Sequence, residues 1–179
     1  MSTTATEFQH IILQCRSLFE KKLHDYGPAW RILRVASLTD QIYIKANRIR
    51  SIQLAGQQKI EDSIEGEFIG ILNYSIVALI QLELGVVDQP DMNAEKALEC
   101  FDVQSKKAFD LMKNKNHDYG EAWRDMRIPS LTDMILQKIL RVKLIEDNQG
   151  KTLVSEGIEA NYLDMINYAA FALILLTKK

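Results

Sequence analysis

The amino-acid sequence predicts an all-α protein, a pseudo-twofold helical bundle built from two tandem copies of one helical unit. Three observations lead to this prediction: the chain repeats itself, apolar residues recur at helical spacing, and strand signals are nearly absent. With 179 residues, of which 47% are hydrophobic and 26% charged, the chain has the composition of a soluble globular protein. We therefore expect one compact domain, or two small units that share a core.

The repeat appears when the sequence is compared with itself at an offset of 93 positions. The residues His-Asp-Tyr-Gly at 24–27 then align with 117–120, and Ser-Leu-Thr-Asp at 37–40 aligns with 130–133. Sixteen of the 31 positions from 24 to 54 are identical in the two copies. Two copies are too few for a solenoid, so we expect each copy (1–88 and 89–179) to bury its apolar stripe against the other within one compact domain.

Each copy is predicted to contain a helix, a break and two further helices. Residues 5–25 carry apolar side chains at helical spacing, and Gly27 and Gly120 are placed to end the first helices in a left-handed cap. The second helices should begin at Ser37 and Ser130, each followed three residues later by an aspartate in an arrangement close to a capping box. They should end near residues 56 and 150, which are glycines.

The last helix of each copy, about 62–84 and 155–177, is apolar on nearly every side over 68–82 and 162–176. Helices of this kind lie in the centre of a bundle. Residues 86–92, which include Pro90, should link the copies.

Charge and cysteine usage exclude several classes of protein. The net charge is −2, so no basic face for a nucleic-acid polymer is implied. Cys15 and Cys100 lack metal or redox spacing and are expected to be free thiols in a reducing compartment. No signal peptide is recognised, and the longest apolar run, 168–176, is shorter than a bilayer span. We expect a cytoplasmic protein without a membrane segment.

Polar residues interrupt the apolar central helices. In the second copy four of them fall within an arc of roughly 140° on one helix face: Glu156, Glu159, Asp164 and Asn167. The matching face of the first copy carries Asp62, Glu65 and Asn73, but Gly70 replaces the aspartate. A buried carboxylate needs a cation, a metal or a hydrogen-bond donor.

Two interpretations of this face remain open. Lys138 and Arg141, or Lys45 and Arg48 of the other copy, would pair with the carboxylates in a structural network. Alternatively, the carboxylates would hold Mg²⁺, and the basic side chains would face the phosphates of a ligand.

The His-Asp-Tyr-Gly segments also allow two interpretations. A histidine in the last turn of a helix is favoured by the helix dipole, and the tyrosine and tryptophan would pack into the joint. Alternatively, these residues would stack on a nucleobase and hydrogen-bond its edge. The candidate residues are His24, Tyr26 and Trp30 in the first copy and His117, Asp118, Tyr119 and Trp123 in the second.

These segments, together with the Lys-x-x-Arg pairs and the Ile-Glu and Asn-Tyr pairs, resemble the nucleotide-modification-associated helical family over nearly the whole chain. That family is similar to the all-α NTP pyrophosphatases (the MazG and dimeric dUTPase type), in which helix-borne carboxylates hold Mg²⁺ and a nucleoside triphosphate is split into a monophosphate and pyrophosphate. The resemblance therefore implies an all-α NTP pyrophosphatase-like fold and an Mg²⁺-carboxylate site.

The roles implied by the resemblance fall on specific residues. Glu156 and Glu159 would serve catalysis, and the metal ligands would be Glu156, Glu159, Asp164, Asp133, Asp62 and Glu65. Lys138, Arg141, Lys45 and Arg48 would contact phosphates, and Asn73 and Asn167, the latter a neighbour of the metal ligands, would also contact the substrate. The sequence departs from the pyrophosphatases at Gly70, and Leu136 and Tyr43 stand where the preceding helix would carry a second glutamate.

Three functional hypotheses follow. The chain would be a nucleotide pyrophosphohydrolase acting on modified or non-canonical nucleotides, a non-catalytic module that binds a nucleotide or another phosphate-bearing small molecule, or a helical oligomerisation protein with ion-paired carboxylates. A homodimer is also expected, because helices that are apolar on all sides need cover in so small a domain.

Overall fold

The computed structural model describes residues 3–56 and 63–178, and within those ranges every regular element is helical. The α-helices are α1 (Thr3–Tyr26), α2 (Val35–Ala55), α3 (Ile64–Leu84), α4 (Ala94–Tyr119), α5 (Ile128–Asp147) and α6 (Ile158–Thr177). Two short 3-10 turns, Ala29–Ile32 and Ala122–Asp125, follow α1 and α4. The all-α prediction is confirmed.

The internal duplication is visible in the positions of the elements. The first 3-10 turn and α2 begin 93 residues before their counterparts, and α3 begins 94 residues before α6. The extra residue lies in the segment before α6, as the sequence alignment requires. The repeat is therefore a repeat of structure.

The six helices pack around one shared core. The helix α3 packs on α6, α2 packs on α5, and α1 packs on α4, so that each helix contacts its own counterpart across a pseudo-twofold axis. A single hydrophobic cluster runs through both copies and includes Phe8, Ile42, Phe68, Phe101 and Met165. Residue 88, where the first copy was predicted to end, lies in the connection between α3 and α4.

Reciprocal ion pairs between α2 and α5 follow the same symmetry. The Lys143 ammonium lies 3.1 Å from Asp40, and the Arg50 Nε lies 3.9 Å from Asp133. Positions 40 and 133, like 50 and 143, are equivalent in the repeat. Each copy therefore contributes one aspartate and one cation to the contact.

A second reciprocal contact lies deeper in the same interface. Thr39 donates to the Glu146 carboxylate at 2.9 Å, while the Gln53 amide donates to the equivalent Thr132 at 3.1 Å. Thr39 is also hydrogen-bonded to the buried hydroxyl of Tyr162. Burial raises the pKa of Glu146, and the hydrogen bond from Thr39 opposes that shift.

The predicted starts of α2 and α5 are wrong by two residues. The helices begin at Val35 and Ile128, and the capping positions are Arg34 and Arg127, whose side chains make no capping hydrogen bond. The serines therefore lie inside the first turn, and the predicted capping box is absent from these two helices. The reason is that each 3-10 turn is followed by an extended arginine that leads directly into the helix.

Glycine ends two helices of the first copy as predicted. Gly27 and Gly56 both have φ of 65°, and their N–H groups bond to the carbonyls of Leu23 and Ile52 at 2.8 Å. This left-handed backbone is unfavourable for other residues.

The start of α6 also differs from the prediction, with a consequence for the candidate site. The helix begins at Ile158, and Gly157 occupies the capping position without a side-chain hydrogen bond. Glu156 therefore lies in the connection before α6 and does not share a helix face with Glu159, Asp164 and Asn167.

The two central helices are apolar enough, by length and composition, to cross a membrane. In the most apolar window of each, α3 and α6, 61% of the residues are buried inside the protein. Such burial is typical of core helices in a soluble protein.

Candidate functional site

Each copy forms a pocket where its first helix, its 3-10 turn and its central helix meet. The first pocket, between α1, the first 3-10 turn and α3, has a volume of about 390 Å³, and the second pocket, between α4, the second turn and α6, about 290 Å³. Seven lining positions carry the same residue in both copies: Lys22 and Lys115, Tyr26 and Tyr119, Gly27 and Gly120, Ala29 and Ala122, Trp30 and Trp123, Asn73 and Asn167, Tyr74 and Tyr168. The shared motifs therefore build equivalent pockets.

A buried arginine fixes the 3-10 turn that carries Trp30. Arg31 is only 2% exposed, and it donates to Asp91 at 2.9 Å and to the Gly85 carbonyl at 2.7 Å. The side chain of Gln81 accepts from Arg31 and donates to the carbonyl of Arg31 at 2.8 Å. These contacts tie the turn to the end of α3 and to the linker, and so position the tryptophan.

The equivalent arginine anchors the second turn differently. Arg124 binds Glu121 at 2.7 Å and Glu7 of α1 at 2.6 Å, and its guanidinium lies 4.5 Å from the centre of the Trp123 ring. The hydrogen bond from Arg124 lowers the pKa of Glu121 to about 2. The second turn is thus held by the other copy's first helix.

In the second pocket a carboxylate lies between two ammonium groups. Asp164, which is 5% exposed, is 2.6 Å from Lys115 and 2.8 Å from Lys138. Burial opposes the charge of Lys115, but the hydrogen bond and the charge of Asp164 outweigh it and raise the pKa of this lysine. The aspartate therefore serves as the internal counter-ion of the second pocket.

The first pocket lacks this counter-ion, because Gly70 occupies the position equivalent to Asp164. Lys45 lies over the glycine, with its Cδ atom 2.8 Å from where a Cβ atom would be. The nearest carboxylate on the helix, Glu67, is one turn earlier and contacts Lys45 at 3.5 Å and Arg48 at 2.7 Å.

A second difference between the pockets is the side chain that packs on the face of the tryptophan. In the second copy Phe171 stacks on Trp123, with ring centroids 4.4 Å apart and an interplanar angle of 6°. The equivalent residue in the first copy is Val77, so α3 offers no ring to Trp30. Trp30 contacts Phe19 in a tilted arrangement at 6.1 Å.

Both pockets contain buried polar atoms that have no hydrogen-bond partner among the described residues. These atoms are the Nε1 of Trp30 and Trp123, the Oδ1 of Asn73, and both amide atoms of Asn167. An unpaired buried polar group costs about 1–3 kcal/mol, and these atoms are closed to solvent in the structure.

The predicted metal ligands are not brought together. Glu65 accepts from Gln14 at 3.2 Å, and the equivalent Glu159 pairs with Lys107 at 3.5 Å. Asp133 pairs with Arg50 on the α2–α5 interface. Glu156 lies in the connection before α6, at an open basic cleft that also includes Lys138 and Arg141. Asp62 lies outside the described residues.

The described part of the chain does not fit a bound Mg²⁺ ion. Within it, no group of three or more His, Cys, Asp or Glu side chains lies close enough to hold a metal. Asp164 is already neutralised by two lysines. The ion-paired interpretation of the acidic residues is the one that the geometry supports.

The predicted substrate-binding residues lie in different places. Lys138 and Arg141 line the cleft beside Glu156, and Arg48 pairs with Glu67. Those that line the pockets are Lys45, Tyr26, Trp30 and Asn73 in the first copy, and Tyr119, Trp123 and Asn167 in the second. His24 and His117 are instead about nine-tenths exposed beside Asp25 and Asp118, and they are not part of either lining.

Sequence reasoning missed Lys22 and Lys115, as well as Tyr74 and Tyr168 as pocket residues. The lysine pair has the same 93-residue offset as the His-Asp-Tyr-Gly segments and begins two residues before them. Extending the alignment toward the N-terminus would therefore have identified it.

Comparison with protein families agrees with the duplication. The model described as nucleotide modification associated domain 1 matches twice, at residues 22–82 and 115–176. The chain belongs to this family. Both matches begin at the pocket lysines and extend into the central helices, so each nucleotide modification associated domain contains most of the lining of one pocket. The lining residues Leu18, Phe19 and Met112 lie just before the matches. No curated protein and no solved structure matches the chain.

Proposed function

We propose that this protein is a nucleotide-binding protein and that its binding site is a pocket at the helix joints. The observation that carries the proposal is that residues shared by both copies converge on the walls of equivalent pockets. The description of the family is in keeping with a nucleotide ligand.

The chemistry of the linings matches the parts of a nucleotide. Tyr26, Trp30 and Tyr74 offer aromatic surface for stacking on a base. Lys22 and Lys45 supply positive charge for a phosphate. A cavity of about 390 Å³ is within the range of small-molecule sites.

Binding without hydrolysis is the function that this geometry supports best. Cleavage of a triphosphate by an Mg²⁺-carboxylate site stays a prediction. The ion pairs of the chain do not favour it, because Asp164, Glu159 and Asp133 are each bound to a basic side chain. We also expect the protein to be cytoplasmic, and we keep the homodimer as a prediction.

Calorimetric titration with a panel of nucleoside mono-, di- and triphosphates tests the proposal. We expect binding in the absence of a divalent metal, because the lysines provide the charge. The proposal would be contradicted if no nucleotide of the panel binds, with or without Mg²⁺. A parallel assay of pyrophosphate release with Mg²⁺ tests hydrolysis: release that Glu159→Gln abolishes would favour the pyrophosphohydrolase.

A further inference from the structure

At two positions that line the pockets, the second copy carries a larger side chain than the first. Asp164 replaces Gly70, and Phe171 replaces Val77. In the second pocket the carboxylate of Asp164 bridges two lysines, and the ring of Phe171 stacks on Trp123. The second pocket thus contains an acidic group and an aromatic ring that belong to the chain itself.

We propose that the first pocket binds a small molecule in which an aromatic ring is joined to an acidic group. The ring lies on Trp30, where Phe171 lies on Trp123, and the acidic group lies between Lys22 and Lys45, where Asp164 lies in the second copy. In the second pocket, Asp164 and Phe171 of the chain itself occupy these two positions, so we expect it not to take this ligand. When the ligand is a nucleotide, the inference rests on the proposed function and assigns its base and phosphate to these positions.

The charges of the first pocket support an anionic ligand. Lys22 and Lys45 are the charged residues of its described lining, and no described carboxylate lines it. Lys22 has no ion-pair partner among the described residues. Lys45 lies 3.5 Å from Glu67, but Arg48 binds the same carboxylate more closely, at 2.7 Å. An acidic group at Gly70 would meet both ammonium groups as Asp164 does in the second pocket.

The spacing of the two positions sets the shape of the ligand. Residues 70 and 77 are seven apart on α3, which corresponds to two helical turns and about 10 Å along the axis. They therefore lie on the same side of the helix, and the ring and the acidic group must be joined by a spacer. A ribose between a base and a phosphate is a spacer of this kind.

The flexible side chain of Lys45 lies over Gly70, which makes the first pocket easy to close by substitution. An added Cβ atom would come within 2.8 Å of the Cδ and Cε atoms of Lys45, which belong to a flexible side chain. In Gly70→Asp the lysine can move toward the new carboxylate and pair with it, as Lys138 pairs with Asp164. A residue other than glycine also suits the middle of a helix better, so this variant should fold.

Calorimetric titration with 1-naphthyl phosphate and with nucleoside 5′-monophosphates tests the proposal. We expect one molecule of ligand per chain. Gly70→Asp and Lys22→Met should each weaken binding about tenfold or more, because a charge-assisted contact is lost. Val77→Phe should weaken it to a similar extent, since a phenyl ring would cover Trp30.

Matched variants distinguish the effects of the added charge and of the added ring from the effect of side-chain volume alone. Gly70→Asn adds nearly the same volume without the charge, and we expect it to weaken binding much less than Gly70→Asp. Val77→Leu adds bulk without a ring. Lys21→Met removes an exposed cation that is not part of the lining, and it should leave binding unchanged.

The outcomes separate this inference from the proposed function. If 1-naphthyl phosphate binds with the expected variant pattern and nucleotides do not, the inference holds and the proposed function fails. If nucleotides bind but Gly70→Asp and Val77→Phe bind them as well as the unaltered chain, or two molecules bind per chain, the inference is overturned. Absence of binding by every probe overturns both.

Discussion

At the residue scale, the buried pair between Asp164 and Lys138 should contribute strongly to stability. Lys138 is 8% exposed, and Asp164→Asn would leave its ammonium group without a counter-ion. We expect the free energy of unfolding to fall by about 3 kcal/mol, because breaking one partner of a buried pair strands the other charge. Urea denaturation measures the change.

The control for this prediction is Glu159→Gln. Glu159 and its partner Lys107 are about half exposed and 3.5 Å apart, so its removal should change stability by no more than about 0.5 kcal/mol. Equal effects of the two substitutions would show that Lys138 is hydrated and that the buried pair is not structural.

Glu146 gives a prediction about pH. Burial raises its pKa above the usual 4.5, so the folded chain binds this proton more tightly than the unfolded chain. Its contribution to stability therefore falls as the pH rises from about 4.5 through the folded pKa. Glu146→Gln should stabilise the protein at pH 7, by less than about 1 kcal/mol for a partly exposed group, and the gain should vanish in acid.

The repeat allows the opposite substitution, from glutamine to glutamate, to be made at the equivalent position. Gln53 occupies the equivalent position beside Thr132, so Gln53→Glu should acquire the same loss of stability with rising pH. Melting temperatures of both variants between pH 4 and pH 8 measure the effect. A gain for Glu146→Gln that persists unchanged at low pH would contradict the assignment to this carboxyl.

The sequence indicated several residues of the candidate site but not their arrangement. Tyr26, Trp30 and Asn73 were predicted as ligand contacts and do line a pocket. The acidic residues were predicted to share a site, yet Asp133, Glu159 and Asp164 each pair with a basic side chain of another helix. Periodicity gives the face of one helix, whereas the cations that neutralise it come from other helices whose positions the sequence alone does not provide.

At the scale of single elements, the first 3-10 turn depends on Arg31. Replacing it by methionine would remove the donors to Asp91 and Gly85 and leave the Oε1 atom of Gln81 without its donor. We expect a loss of about 3 kcal/mol and faster amide exchange in residues 29–33, because a buried hydrogen-bond network is broken.

The neighbouring Arg34 is exposed and caps α2 only with its backbone, so Arg34→Met is the matched control. It should leave stability and amide exchange in the turn close to those of the unaltered chain. If Arg31→Met behaved in the same way, the turn would be fixed by its backbone hydrogen bonds alone.

Helix existence was predictable, but two kinds of boundary were not. The serine-aspartate pattern indicated a start at Ser37, whereas the 3-10 turn and the extended Arg34 start the helix earlier. The predicted start of α6 included Glu156, although Gly157 ends the preceding connection. In both cases the chain entering the helix, rather than the residues inside it, sets the boundary.

At the scale of the whole molecule, the duplication predicted the architecture. Equivalent helices pair across the pseudo-twofold axis, and reciprocal contacts such as Asp40–Lys143 and Asp133–Arg50 follow from it. The repeat could not reveal how the copies had diverged in function. That difference arises from Gly70 and Val77, whose significance depends on what their counterparts touch.

The homodimer was expected because the central helices are apolar on nearly every side. In the structure α3 and α6 are covered by each other and by the remaining helices of the same chain, so this reason no longer applies. The homodimer stays a prediction, and the molar mass of the protein in solution, measured by light scattering, tests it directly.

The two tryptophans of the chain allow the most direct test of the account, since each lines one pocket. In Trp123→Phe the remaining indole, Trp30, should report a ring that stacks on it, so any nucleotide that binds should quench its fluorescence in a saturable way. In Trp30→Phe the remaining indole, Trp123, is already stacked on Phe171 and should show no saturable change. Saturable quenching of Trp123 but not of Trp30 would contradict the claim that the first pocket is the open one.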